Sequence, residues 1–264
     1  MYNVLITSII TLYFLTILAN NFYRIINLYH SISIIYYKKN RKIFTIINTD
    51  NYYIRLNTFE DFNNFYEKLE INDDFEIILH TPGGDLGSSE AIFKCISRHK
   101  GKVTAYIPQY CYSGGMLIAL SCDKIFMNRN TLVGPCDAQL ADKKTFSYTS
   151  SDVIQKVIAE KQKLGQDVKE EWLAQGYEAT KVKSTQQQIL KELLSFANNK
   201  KNYNENIIDK IYEELFSGKY PHSYSLDFDN LMKIGINVEI KPFPNYIKQI
   251  FRHSVSIKNY SFAY

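Results

Sequence analysis

Two short apolar runs, FEIILH at 75–80 and KVTAYIP at 102–108, each lead into a glycine-rich loop, and they limit the fold more than any other feature. A β-branched run that is apolar on both sides suits a strand covered from above and below, as in a parallel sheet. The first run opens into HTPGGD (80–85) and the second into YCYSGGM (110–116). The pattern continues on either side. IFTIIN (43–48) reads as a strand, and TFEDFNNFYEKLE (58–70) as a helix with a threonine cap. GSSEAIFKCISRH (87–99) reads as a helix, GMLIALS (115–121) as a short apolar helix, and DKIFMN (123–128) as a strand. Strands alternating with helices predict an α/β fold with a largely buried sheet.

Beyond residue 150 the chain turns polar and helical. Residues 151–165, 182–199 and 204–218 each repeat apolar positions at three and four. The middle of 140–180 is polar and carries no such pattern. SLDFDNLMKIGINVEI (225–240) reads as a capped helix, a glycine stop and a short strand. A chain of 264 residues, 45% hydrophobic, is long enough for one such domain with a full core.

The N-terminus has a different character. Residues 1–23 contain no charged side chain, and VLITSIITLYFLTILA (4–19) with its flanks is long enough to span a bilayer as a helix. A cleaved signal peptide would need a positive leading region, which is missing. Arg24 and KKNRK (38–42) follow the apolar run, which predicts a cytoplasmic body. The expected organisation is a transmembrane anchor at 1–23, a juxtamembrane segment at 24–42, a catalytic domain at 43–245 and a tail at 246–264. The segment at 24–42 either lies on the membrane surface or supplies a first strand.

Composition removes several classes of function. The net charge is only +4 and the lysines are scattered, without a basic stripe interleaved with aromatics, so nucleic acid is not an expected partner. Cys95, Cys111, Cys122 and Cys136 show no CxxC spacing and read as small buried thiols. Walker A, GxGxxG and HExxH motifs are absent from the sequence, so no metal or organic cofactor is expected.

Ser113 is the residue with chemical promise. Acyl transfer through a serine needs a base for the Oγ proton, a group that orients the base, and N–H donors for the oxyanion. Two Gly-Gly loops after neighbouring parallel strands would open at the same sheet edge, where α/β proteins bind ligands. Gly84, Gly83 and Gly114 are therefore candidate oxyanion donors. Ser113 would stand at the entry to a helix, whose dipole favours developing negative charge. The GxSxG elbow of α/β-hydrolases does not apply, since Cys111 occupies the first glycine position. His80, at the end of its strand just before the PGG loop, is the candidate base nearest in sequence. His30, His99 and His253 lie in basic or juxtamembrane context, which predicts solvated rings.

These residues resemble the Clp-protease/crotonase superfamily, in which a PGG loop forms the oxyanion hole and a serine one βα unit later is the nucleophile. The run Ser113-Gly114-Gly115, Cys122-Asp123-Lys124-Ile125, Gly134-Pro135-Cys136-Asp137-Ala138-Gln139 and Gly218-Lys219-Tyr220-Pro221-His222 is similar to the serine dehydrogenase proteinase family, a membrane-associated branch. The resemblance covers roughly residues 45–240. It implies repeated β-β-α units and a catalytic Ser113 (nucleophile), Asp137 (orienter) and His222 (base), whereas similarity to signal-peptide-peptidase-A-like relatives, which use a Ser–Lys dyad, would put the base on Lys156, Lys161 or Lys163. It further implies a serine endopeptidase acting on polypeptides, assembled as a homo-oligomer and bound to membrane lipid through its N-terminal helix. Pro221 and Ser223 depart from the family pattern, which usually has Thr before the histidine and often an acidic residue after it. Two other readings share the fold: a membrane-tethered scaffold with an idle triad, and a crotonase-like acyl-CoA enzyme.

Overall fold

The apolar runs pair into one six-stranded sheet. A computed structural model of the protein describes residues 36–38, 41–48, 52–142, 147–196 and 203–260. Strand β1 (Tyr36–Lys38) runs antiparallel to β2 (Arg41–Ile47). Helix α1 (Leu56–Tyr66), β3 (Phe75–His80), α2 (Leu86–Arg98), β4 (Val103–Ile107), β5 (Tyr110–Cys111), α3 (Gly114–Ser121), β6 (Lys124–Met127) and β7 (Leu132–Val133) follow. Strands β8 (Gln139–Asp142) and β9 (Ser147–Ser150) form a hairpin that leads into α4 (Ser151–Lys163) and the long α5 (Glu170–Phe196). The chain continues through α6 (Glu205–Ile211), a π-helical turn at Tyr212–Phe216, α7 (Phe228–Ile234), β10 (Val238–Ile240) and α8 (Asn245–Tyr260). The sheet order is β1-β2-β3-β4-β6-β10, with every pairing after the first parallel.

Alternation along the strands divides the core in two. Phe44, Ile46, Ile77, Leu79, Ala105 and Ile107 belong to the larger cluster, with residues of α1, α2 and α3. Its centre is aromatic: Phe44 meets Phe62 edge-on at 5.2 Å, and Phe65 meets Phe75 at 5.6 Å. Ile43, Ile47, Ile78 and Tyr106 are the alternate positions, and they pack with Phe243, Ile247 and Ile250. The segment after 245, expected as a tail, is thus a helix that covers the sheet. Its Tyr246 hydroxyl donates to Glu76 at 2.7 Å and accepts from Arg41 at 2.9 Å, while Tyr106 donates to the same carboxylate oxygen at 3.2 Å.

A second, smaller layer explains the β-β-α repeat. After each main strand the chain makes a short extended contact before entering its helix. Ile54 bridges Gly84, Thr81 bridges Cys111, and β5 pairs with β7, all parallel. This layer holds the two glycine loops side by side.

Two further expectations need adjustment. Residues 140–180 contain most of a hairpin and all of α4, and α5 begins at Glu170, a dozen residues before its apolar repeat becomes regular. His99 is buried, with Nε2 donating to the Asp73 carbonyl at 2.6 Å and its ring against Tyr66 and Phe75, so it is a core residue. The expected transmembrane run lies outside the described residues. Among those described, no helix is long and apolar enough to cross a membrane.

Candidate active site

The nucleophile loop begins where β5 ends. Its backbone is held on both sides: Tyr112 N–H donates to Thr81 and Ser113 N–H to Pro135. Ser113 is the N-cap of α3, with φ 50° and ψ −125°, and it is the single non-glycine with positive φ among the described residues. Such a conformation costs about 1–3 kcal/mol and persists only where the surroundings enforce it. The enforcement is steric. A Cβ on Gly83 would lie 2.6 Å from Ser113 Cβ and 3.1 Å from the Gly114 nitrogen, so the two loops touch through their backbones.

The oxyanion donors follow from the bridge to Ile54. That bridge uses the Gly83 carbonyl and the Asp85 amide, which leaves the Gly84 N–H on the opposite edge. Gly83 N–H is donated to Thr81 Oγ1 at 3.1 Å, so it is already engaged and is not an available donor. The Gly84 and Gly114 amides have no hydrogen-bond partner among the described residues. A Cβ built on Gly114 would be 3.7 Å from the Gly84 nitrogen, which puts the two amides in one small region.

Asp137 and His222, 85 residues apart, meet directly. His222 Nδ1 and Asp137 Oδ1 are 2.7 Å apart, and Gln139 Nε2 donates to the other carboxylate oxygen. Asp137 is 1% exposed, so its charge depends on these two partners. With Nδ1 engaged by the carboxylate, Nε2 is the nitrogen left for proton transfer. Ser113, Asp137, His222, Gly84 and Gly114 all line one cleft of about 1250 Å³. No hydrogen bond joins Ser113 to His222 among the described residues, and catalytic contacts of this kind often tighten only with substrate bound.

The rival bases lie elsewhere. His80 is buried at the end of β3, its ring tilted against Tyr110 at 4.0 Å and edge-on to Phe251, and it does not line the cleft. Lys156 and Lys163 are exposed and Lys161 is half-buried on α4, and none of them lines the cleft. The buried thiols offer no competing nucleophile. Desolvation, reinforced by Cys111 and Asp137, pushes the Cys136 thiol well above its ordinary range, and burial does the same to Cys111. Among the described residues no cluster of His, Cys, Asp or Glu could hold a metal ion.

Sequence reasoning gave Gln139 no role and did not single out Thr81 or Glu214. Gln139 lay inside a recognised motif, two residues from Asp137, and that spacing was the available signal. Thr81 acts through its side chain on a backbone amide, which no motif spacing reveals.

A strained serine at a helix entry, two bare glycine amides and an Asp–His pair in one cleft are the parts that acyl transfer through a serine requires. A profile of the ClpP-like SDH-type serine proteinases matches residues 5–252, and the chain belongs to that family. Among curated proteins, the uncharacterized protein MJ1495 of Methanocaldococcus jannaschii is 32% identical over 163 residues, 62% of this chain and 51% of its own. The chain spans about half the length of the curated relatives it matches. Among solved structures, a mutant of the membrane-bound stomatin-specific protease 1510-N aligns at 18% identity with a TM-score of 0.46, covering 74% of this chain and 78% of that one. ClpP1 from Listeria monocytogenes aligns at 14% identity with a TM-score of 0.47, covering 78% and 94%.

Proposed function

We propose that the protein is a membrane-anchored serine endopeptidase that hydrolyses peptide bonds through an acyl-enzyme on Ser113. The observation that carries this reading is the 2.7 Å pairing of His222 with buried Asp137 in the cleft that Ser113 also lines. His222 Nε2 takes the Oγ proton as Oγ attacks the scissile carbonyl carbon. The oxyanion that forms accepts from the Gly84 and Gly114 amides, worth on the order of 10²–10³ in rate for each donor. Asp137 keeps the imidazole in the reactive tautomer and stabilises the imidazolium. Collapse of the tetrahedral intermediate breaks the C–N bond, and the leaving amine takes the proton from His222. Water then attacks the ester, gives its proton to Nε2 and releases the acid, and Ser113 is reprotonated.

Membrane anchoring rests on the uncharged run at 1–23, which the family profile overlaps from residue 5, and on the basic residues that follow it. The body then faces the cytoplasm, and carbonate extraction of membranes tests the attachment. Homo-oligomeric assembly follows from the resemblance, and light scattering in detergent tests it.

The decisive experiment labels the full chain with a fluorophosphonate, which reacts with activated serines. Labelling of the wild type, abolished in Ser113→Ala and reduced at least a hundredfold in His222→Ala, is the expected result. Labelling kept in His222→Ala would move the base to His80 or the α4 lysines. A well-folded wild type that never labels would leave the idle scaffold ahead, and binding of a CoA thioester would favour the acyl-CoA reading.

A further inference from the structure

His222 sits on an unusual support. The π-helical turn at Tyr212–Phe216 is closed by Ser217 N–H donating to the Tyr212 carbonyl. Gly218 then leaves it with φ +66°, a left-handed conformation that redirects the chain toward the cleft. One Glu214 carboxylate oxygen accepts from the Lys219 ammonium at 2.6 Å and the other from the Tyr220 hydroxyl at 2.7 Å. The Lys219 contact holds the Glu214 carboxyl below its usual range, so it is ionised at neutral pH.

Beyond Tyr220 the chain makes a turn. Tyr224 N–H donates to the Pro221 carbonyl at 2.8 Å, with His222 and Ser223 as the two central residues. The rings of Tyr220 and Tyr224 stack across the base of that turn, 4.4 Å apart and within 10° of parallel. Past it, Leu226 exchanges both backbone hydrogen bonds with Val133, and Ser225 Oγ lies 2.7 Å from the Tyr112 hydroxyl. The downstream end of the turn is therefore fastened by backbone pairing. Upstream, Tyr220 packs against the main core, and Glu214 fixes its hydroxyl and, through the ring stack, the turn.

We propose that Glu214 is a positioning residue for the base: by gripping Tyr220 and Lys219 it holds the Pro221–Tyr224 turn so that His222 stays paired with Asp137 in the cleft that Ser113 lines. This rests on the reading of His222 as the base of the Ser113 reaction. It also gives a physical account of Pro221 and Ser223, since the tyrosine stack and the carboxylate fasten the turn without any help from these two side chains. The same π turn serves the other partner. Its Leu215 carbonyl accepts from Cys136 N–H at 2.6 Å, beside Asp137. One irregular turn thus sets both members of the Asp–His pair.

The test uses the full chain in detergent with fluorophosphonate labelling and turnover of a fluorogenic peptide. Glu214→Gln is expected to slow labelling about tenfold and to lower kcat with KM unchanged, because a loosened base costs rate rather than binding. Tyr220→Phe, which keeps the ring and loses the hydroxyl, should act similarly and non-additively with Glu214→Gln. In a His222→Ala background neither change should slow labelling further. Wild-type labelling rates in both variants would overturn the proposal, as would an equal slowing with His222 already removed. If His222→Ala itself labels like the wild type, the base assignment fails, and the positioning role fails with it.

Discussion

At the scale of single residues, the site depends on where side chains are missing. Gly84 has no room for a β-carbon, because one would run into the backbone of Ile54, its bridge partner. Gly84→Ala must push the two segments apart, which moves the amide proposed for the oxyanion. We expect labelling of Ser113 to fall by about 10²-fold or more and the urea midpoint to drop by the equivalent of ~3 kcal/mol, read on the same samples. The sequence named Gly84, with Gly83 as its less favoured neighbour, and Gly114 as donors, but held no contact that decides between the first two. The ranking depends on Thr81 Oγ1 occupying the Gly83 amide, a contact made by a side chain two residues away.

At the scale of elements, α8 shows what a titration can report. It closes the sheet face that carries Tyr106, and Tyr246 and Tyr106 both donate to Glu76. Desolvation, followed by the Glu76 charge, pushes the Tyr106 phenol up to about 12, and burial with hydrogen bonding to Glu76 raises Tyr246 further. A phenol raised above its unfolded value of about 10 stabilises the fold fully below that pH, and the contribution is lost as pH rises through the folded value. Stability should therefore fall between about pH 10 and about pH 12, and Tyr246→Phe should flatten that fall when urea midpoints are compared across the range. The elements differ in how legible they were. FEIILH and GMLIALS match β3 and α3 within a residue, since a β-branched run and an apolar octet admit few other states. The π turn reads in the sequence as continuous helix, because an i→i+5 closure leaves no mark in apolar periodicity. The start of α5 carries Trp172, Leu173 and Tyr177 on exposed positions without a regular apolar repeat, and it is settled by packing against α4, where Ala179 meets Ile154 and Ile158.

At the scale of the whole molecule, the parallel sheet brings residues 113, 137 and 222 to one cleft although no local pattern links them. Motif order made Ser113 and Asp137 readable, whereas the reach of His222 across 85 residues depended on the π turn and the Val133–Leu226 bridge. One more outcome belongs here. Ser113→Gly removes the single left-handed non-glycine among the described residues, so the folded state should gain about 1 kcal/mol, a rise of roughly 2–4 °C in Tm for a chain of this size by calorimetry. That gain comes with loss of the hydroxyl on which the proposed chemistry depends. Natural selection acting through heat resistance alone would therefore lead this lineage away from catalysis at position 113. A serine retained there across descendants would be a record of continued use, written in a conformation that thermal adaptation by itself would erase.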